Sequence, residues 1–282
     1  MPIRAKIYSV NDINLHVAEA GNTENKIIIF LHGFPECWYA WHKQLPYFAE
    51  KGFWAIAPDQ RGYNLSSKPA GVKSYSLANL TRDIAALIKQ LTSNKVILVG
   101  HDWGGGVAWA MATYYPELLE KLIILNMPHP DVLRQNLWHN PKQTLKSWYA
   151  GFFQLPYLPE IACQAFNYQL LARSLTKTTH RNTFTAEDLK KYKQAWCQPG
   201  ALKAMINWYR AFNYNQELSA ELLTTPTLLI WGKKDTFLSS EMAPTSIAKC
   251  REGQLVFLPE ATHWLHHEKA EEVNKLIYDF VK

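Results

Sequence analysis

The sequence predicts an α/β protein: a mostly parallel sheet flanked by helices, opened by an antiparallel hairpin and interrupted by a helical insertion. Three observations carry this. Short unbroken apolar runs recur between stretches of helical length, strict alternation marks the N-terminus, and the strand rhythm vanishes for about ninety residues in mid-chain. At 282 residues the chain is long enough for one large domain with an inserted subdomain.

Taken in order, residues 7–20 alternate around Asn11-Asp12 and predict a β-hairpin, because these two residues suit a tight reversal. Residues 26–31, 54–57, 95–99 and 121–125 are continuous apolar runs, the pattern of strands buried on both faces of a parallel sheet. Residues 38–50, 77–91 and 104–115 have the length and period of crossover helices, so the first half reads βαβαβα. From residue 129 to 215 no buried strand is evident, while aromatics cluster around Trp148-Tyr149, Tyr192 to Trp196 and Trp208-Tyr209. That stretch predicts a helical lid. The rhythm resumes with strand 227–231, helix 241–250, strand 254–258 and helix 268–281. The expected division is therefore a core of residues 1–128 and 216–282 and a lid of residues 129–215.

Composition narrows the classes of function. With 48% hydrophobic and 19% charged residues the chain is a packed globular protein. Eleven Trp, fourteen Tyr and twelve Phe suit either core packing or an apolar ligand cavity. The net charge of +6 is scattered, without the basic run of a nucleic-acid arm. No apolar stretch is long enough to span a bilayer, and the N-terminus lacks a signal-peptide pattern, so a cytoplasmic location is expected. Cys37, Cys163, Cys197 and Cys250 are widely spaced and signal neither a zinc site nor a disulfide framework.

The chemistry gathers at Gly100-His101-Asp102-Trp103-Gly104, between a buried strand and a predicted helix. Small residues on both sides let strand and helix approach closely, which pushes the middle residue into strained geometry facing the cleft. This spacing is that of a nucleophile elbow. Such elbows usually carry Ser or Cys; a carboxylate instead attacks carbon and leaves an alkyl ester, restricting the reaction to displacement at strong electrophiles such as strained epoxides or carbon–halogen bonds. An Asp that merely caps the helix is the plain alternative, and its partners decide between them.

Those partners are legible. His32-Gly33-Phe34-Pro35 follows strand 26–31, where the backbone N–H groups of Phe34 and Trp103 suit an oxyanion hole; His32 itself is given a structural role. Asp235 and His263 lie in loops just past strands 227–231 and 254–258, the end of an open α/β sheet where sites collect. The order nucleophile, acid, His matches the triad order of this elbow. His263 is the expected general base and Asp235 its orienting acid, with Asp131 as the rival acid. His266 and His267 are expected at the surface. No metal and no organic cofactor is called for.

Together, His32-Gly33-Phe34-Pro35-Glu36, Asp59-Gln60-Arg61-Gly62-Tyr63, Gly100-His101-Asp102-Trp103-Gly104-Gly105 and Asn126-Met127-Pro128-His129-Pro130 resemble the sequence blocks of soluble epoxide hydrolases of the α/β-hydrolase superfamily, over nearly the whole chain. The resemblance implies an α/β-hydrolase fold, hydrolysis of epoxides to vicinal diols through an Asp-bound hydroxyalkyl ester, and two lid tyrosines that donate hydrogen bonds to the epoxide oxygen. The matching positions are Tyr149 and Tyr209, with Tyr157 and Tyr168 as fallbacks. Expected partners are a small apolar or aryl epoxide and water, with a homodimer left open. Two departures are Asn64, where Gly is common and Asn tolerates a left-handed backbone nearly as well, and Thr262, where Gly is frequent. The nearest rivals are haloalkane and haloacetate dehalogenases; the former often place Asn where Phe34 stands, the latter often Arg where Trp103 stands. A non-catalytic small-molecule receptor on the same fold is the rival of another class, although such receptors tend to lose a triad member and none is missing here.

Overall fold

The computed structural model describes residues 1–218 and 221–282. Its sheet is built from β1 (Arg4–Val10), β2 (Ile13–Ala20), β3 (Lys26–Leu31), β4 (Phe53–Pro58), β5 (Val96–His101), β6 (Leu119–Leu125), β7 (Thr227–Gly232) and β8 (Gly253–Leu258). They lie in the order β1-β2-β4-β3-β5-β6-β7-β8; β1, β2 and β4 pair antiparallel and every other neighbour is parallel. The β1–β2 turn falls on Asn11 and Asp12, both with positive φ (43° and 61°), as a two-residue hairpin of this twist requires.

Both faces of the central strands are apolar. In β3, Ile27, Ile29 and Leu31 enter one core and Ile28 and Phe30 the other. In β5, Val96 and Leu98 face the first and Ile97 and Val99 the second. This two-sided burial explains why these strands read as continuous apolar runs. The first core is covered by α2 (Leu77–Leu91) and α3 (Trp103–Tyr114), the second by α1 (Gln44–Glu50), α11 (Leu265–Glu268) and α12 (Ala270–Val281). Helix α10 (Met242–Ile247) links β7 to β8.

One expected helix is divided. Residues 38–41 form a 3-10 turn and α1 starts only at Gln44. Pro46 lacks an N–H and is tolerated only in the first turn of a helix, so the helix cannot run through it from residue 38. Between β6 and β7 the described residues contain six α-helices, α4 (Pro130–His139), α5 (Pro141–Lys146), α6 (Trp148–Phe152), α7 (Leu158–Thr176), α8 (Ala186–Trp196) and α9 (Ala201–Arg210), and a 3-10 turn at Ala211–Tyr214. Helix α7 is broken by non-helical backbone at residues 165–168. This helical segment is pinned over the sheet by polar contacts: Tyr192 Oη donates to Glu36 at 2.6 Å, Trp208 Nε1 to the Arg61 carbonyl at 2.9 Å, and Trp196 Nε1 to the Pro35 carbonyl at 2.5 Å. No described helix is long and apolar enough to cross a membrane.

Candidate active site

Strand β5 ends at His101 and α3 begins at Trp103, so Asp102 must turn the chain alone. It does so at φ 50° and ψ −127°, sparsely populated backbone that is held only where the surroundings over-determine it. Gly33 is part of that constraint. A Cβ there would lie 2.4 Å from the Asp102 side chain, so only glycine lets the β3 loop pass this close. The next amide in that loop, Phe34 N–H, donates to Asp102 Oδ1 at 2.8 Å. Trp103 opens α3, where the first amides have no partner within the helix.

The other carboxylate oxygen, Oδ2, lies 3.6 Å from His263 Nε2. His263 Nδ1 bonds Asp235 Oδ2 at 2.8 Å, and both residues are buried. Asp235 is fixed in turn: Oδ1 accepts from the Phe237 and Leu238 amides at 2.7 and 2.9 Å, and Oδ2 from Asn126 Nδ2 at 2.5 Å. Burial alone would push the Asp235 carboxyl up, but His263 and these donors outweigh it and hold it below the usual range. For His263, burial favours the neutral ring, yet Asp235 and Asp102 dominate and hold the imidazole up at about 10.

The expected tyrosines also gather here. Tyr149 on α6 and Tyr209 on α9 have ring centroids 5.9 Å apart, and both line cavities that contain Asp102. Arg210 ties the two segments together, donating to the Phe153 carbonyl at 3.0 Å and pairing with Glu160. Burial first and the Asp102 charge second raise both phenols, so they stay protonated and able to donate. The fallback tyrosines are elsewhere: Tyr157 is 76% exposed, and Tyr168 borders an outer groove beside Trp196. Asp131 is also elsewhere, accepting from the Leu218 amide at 3.0 Å and lying near His129. His32 accepts from the Gln60 amide at 3.1 Å and stays structural. Asn64 takes positive φ (41°), the backbone expected at that departure. The four cysteines are unpaired.

The expectation for His266 and His267 is wrong. Both are buried, because α11 packs them against Trp41 and the Glu36 carboxylate. Glu36 Oε1 meets His267 Nε2 at 2.7 Å, Oε2 lies 3.3 Å from His266 Nε2 and 3.5 Å from His101 Nδ1, and His101 Nε2 meets the His263 carbonyl at 2.8 Å. Burial pushes Glu36 up, but the surrounding histidines prevail and keep it well below the carboxylate range. Glu36, His266 and His267 are also the one group among the described residues spaced to share a metal ion, their donor atoms within 4.8 Å. Asn126 was missed as well. Its sequence signals are an Asn directly after an apolar strand and its place at the head of a resemblance block; its positive φ of 45° aims the amide at Asp235 and its Oδ1 accepts from the Gly232 amide at 2.8 Å.

The space in front of Asp102 is apolar. A cavity of about 350 Å³ is bordered by Phe34, Trp148, Tyr149, Phe153, Tyr209, Phe237 and His263. The arrangement offers a carboxylate with one oxygen held by an amide, a proton-carrying imidazole backed by a second carboxylate, and two phenols.

Comparison with known proteins agrees with this geometry. Residues 26–270 match the family described as alpha/beta hydrolase fold. The chain is 46% identical to AB hydrolase superfamily protein YfhM of Bacillus subtilis (strain 168), over 99% of this chain and 98% of that one. It is 39% identical to Epoxide hydrolase 4 of Homo sapiens, over 96% of this chain and 76% of that protein. The solved Bacillus megaterium epoxide hydrolase bound to an inhibitor superposes with a TM-score of 0.89 at 32% identity, covering 98% of this chain and 99% of that one. With fold, elbow and relatives in agreement, the chain belongs to the epoxide hydrolases of the α/β-hydrolase fold.

Proposed function

We propose that this protein hydrolyses small apolar or aryl epoxides to vicinal diols, with Asp102 as the nucleophile and a hydroxyalkyl ester as the intermediate. The observation that carries the residue roles is that the Asp102 carboxylate and two protonated phenols border one apolar cavity. A ring opened by a carboxylate leaves an alkoxide, and donors on the far side of the ring are what that developing charge needs.

In the first step Asp102 Oδ2 bonds to an epoxide carbon, the carbon–oxygen bond breaks, and Tyr149 and Tyr209 supply a hydrogen bond and a proton to the leaving oxygen. Oδ1 stays on the Phe34 amide and becomes the ester carbonyl oxygen. Esterification removes the Asp102 charge, one of the two that hold His263 protonated, so the imidazole surrenders its proton and the tyrosine is restored through solvent. In the second step neutral His263 takes a proton from water and the hydroxide adds to the ester carbon. The Phe34 and Trp103 amides hold the oxyanion, and collapse breaks the ester carbon–oxygen bond; the alkoxide takes the proton that the added hydroxide leaves on the Asp102 carboxyl and departs as the diol. The proton taken from water replaces the one His263 had given up, so each turnover leaves Asp102 charged and His263 protonated. Residues 129–215 would act as the lid that carries the phenols and excludes water from the first step.

The test is a panel of epoxides, haloalkanes and esters assayed together for diol, halide and acid. Diol from styrene oxide, without halide from chloroalkanes, is the expected result; halide without diol would instead establish a dehalogenase, and binding without turnover a receptor. Asp102→Ala should abolish diol formation. His263→Gln should let the ester accumulate, seen as a mass increase on the protein equal to one epoxide.

A further inference from the structure

We propose that the site selects unsymmetrical epoxides, with one arm of aryl size or larger and the other no bigger than a short alkyl group. This rests on the assignment of epoxide opening to Asp102. Two cavities meet at the reacting groups, since Asp102, Tyr149 and Tyr209 border both. One measures about 350 Å³ and the other about 80 Å³. A cavity of about 150 Å³ is enough to take a benzene ring. The larger chamber therefore has room for a ring and a linker, whereas the smaller holds about half a ring, enough for hydrogen, methyl or ethyl.

The two chambers also differ in how they end. The larger reaches Leu145 and Trp148, which are 75% and 66% exposed, so a long arm can run out toward solvent. The smaller is bordered by Trp103, Met127, Leu133, Leu137, Phe212 and Leu238, none of them exposed. Met127 and Leu238 are buried, and the Trp103 ring is wedged edge-on against Tyr209 and Trp208, with centroids 5.2 and 5.9 Å apart. The close-packed side formed by Met127, Leu238 and Trp103 does not swell to admit a ring. At its rim, Ser147 Oγ accepts from Gln143 at 2.8 Å, and Gln154 Nε2 donates to the Tyr209 carbonyl at 3.0 Å. The short arm is thus limited in size, and it is this chamber that sets selectivity.

The test compares kcat/KM of the full chain for styrene oxide, trans-β-methylstyrene oxide and trans-stilbene oxide. The first two should agree within about tenfold and the third should fall at least about 100-fold below them, the range that steric fit in an apolar pocket supplies. Leu133 and Leu137 are only half-buried. Shortening both (Leu133→Ala with Leu137→Ala) should raise the stilbene-to-styrene ratio by at least about tenfold. Ala150→Leu, on the same wall, should act in the opposite sense and lower the β-methylstyrene-to-styrene ratio, which keeps the test open should the double variant not fold. Stilbene oxide hydrolysed as fast as styrene oxide, or ratios unmoved in folded variants, would overturn the asymmetry while leaving epoxide hydrolysis standing. Absence of diol from all three would overturn both.

Discussion

His263 sits between two carboxylates, 2.8 Å from Asp235 and 3.6 Å from Asp102, and that placement raises its affinity for a proton. Because the Asp102 charge and hydrogen bond contribute to holding the ring at about 10, Asp102→Asn, neutral like the ester, should lower the titration midpoint of His263 by at least about one unit, as loss of a nearby unit charge does. Titration of the imidazole carbon resonances in wild type and variant measures this, and an unchanged midpoint would remove the proposed trigger for the second step. Asp102, Asp235 and His263 were legible in the sequence because each follows a strand and the three come in a fixed order. Asn126 and Glu36 were not, because what they do depends on partners 109 and 231 residues away, on Asp235 and His267. Tyr149 and Tyr209 came from resemblance alone; among fourteen tyrosines nothing local marks the two that face Asp102.

At the scale of elements, the elbow depends on how near α3 comes to β3. A Cβ on Gly104 would stand 2.2 Å from the Leu31 carbonyl oxygen and 2.5 Å from that of His32, both backbone atoms that cannot move aside without displacing the strand. Gly104→Ala should therefore destabilise the fold by about 3 kcal/mol or more, although alanine in an open helix would help. Urea unfolding measures the loss, and a variant as stable as wild type would show that α3 can shift. The elements themselves were largely readable, since apolar runs and helical periods are local properties of the chain. The exceptions have causes of a different kind, one local and one remote. Pro46 divides the stretch from residue 38 to 50, and α11 turns His266 and His267 inward because the carboxylate they surround lies on a loop more than two hundred residues earlier.

For the whole molecule, the buried histidines fix how stability depends on pH, and they act in opposite directions. His263 has a folded value of about 10 against an ordinary 6.5, so the stability it contributes is fully present below about pH 6.5 and is lost as pH rises through about 10. His266 is the reverse: burial first, then the neighbouring His267 and His101, hold it well below 6.5, so the unfolded chain binds its proton more readily and stability falls as pH drops below that value. On the acid side the depressed carboxylates of Glu36 and Asp235 act in the same sense, since their contribution is present above about pH 4 and is lost on further acidification. The optimum is therefore expected at about pH 6.5 to 8. Unfolding free energies measured in urea at pH 7 and at pH 10.5 isolate the first term when wild type is compared with His263→Gln, because lysines, tyrosines and thiols that titrate over the same range are common to both. Wild type should lose on the order of 3 kcal/mol more than the variant over this interval. Equal losses in the two proteins would mean that His263 is not protonated in the resting site, and the proton accounting proposed for the catalytic cycle would fall with it.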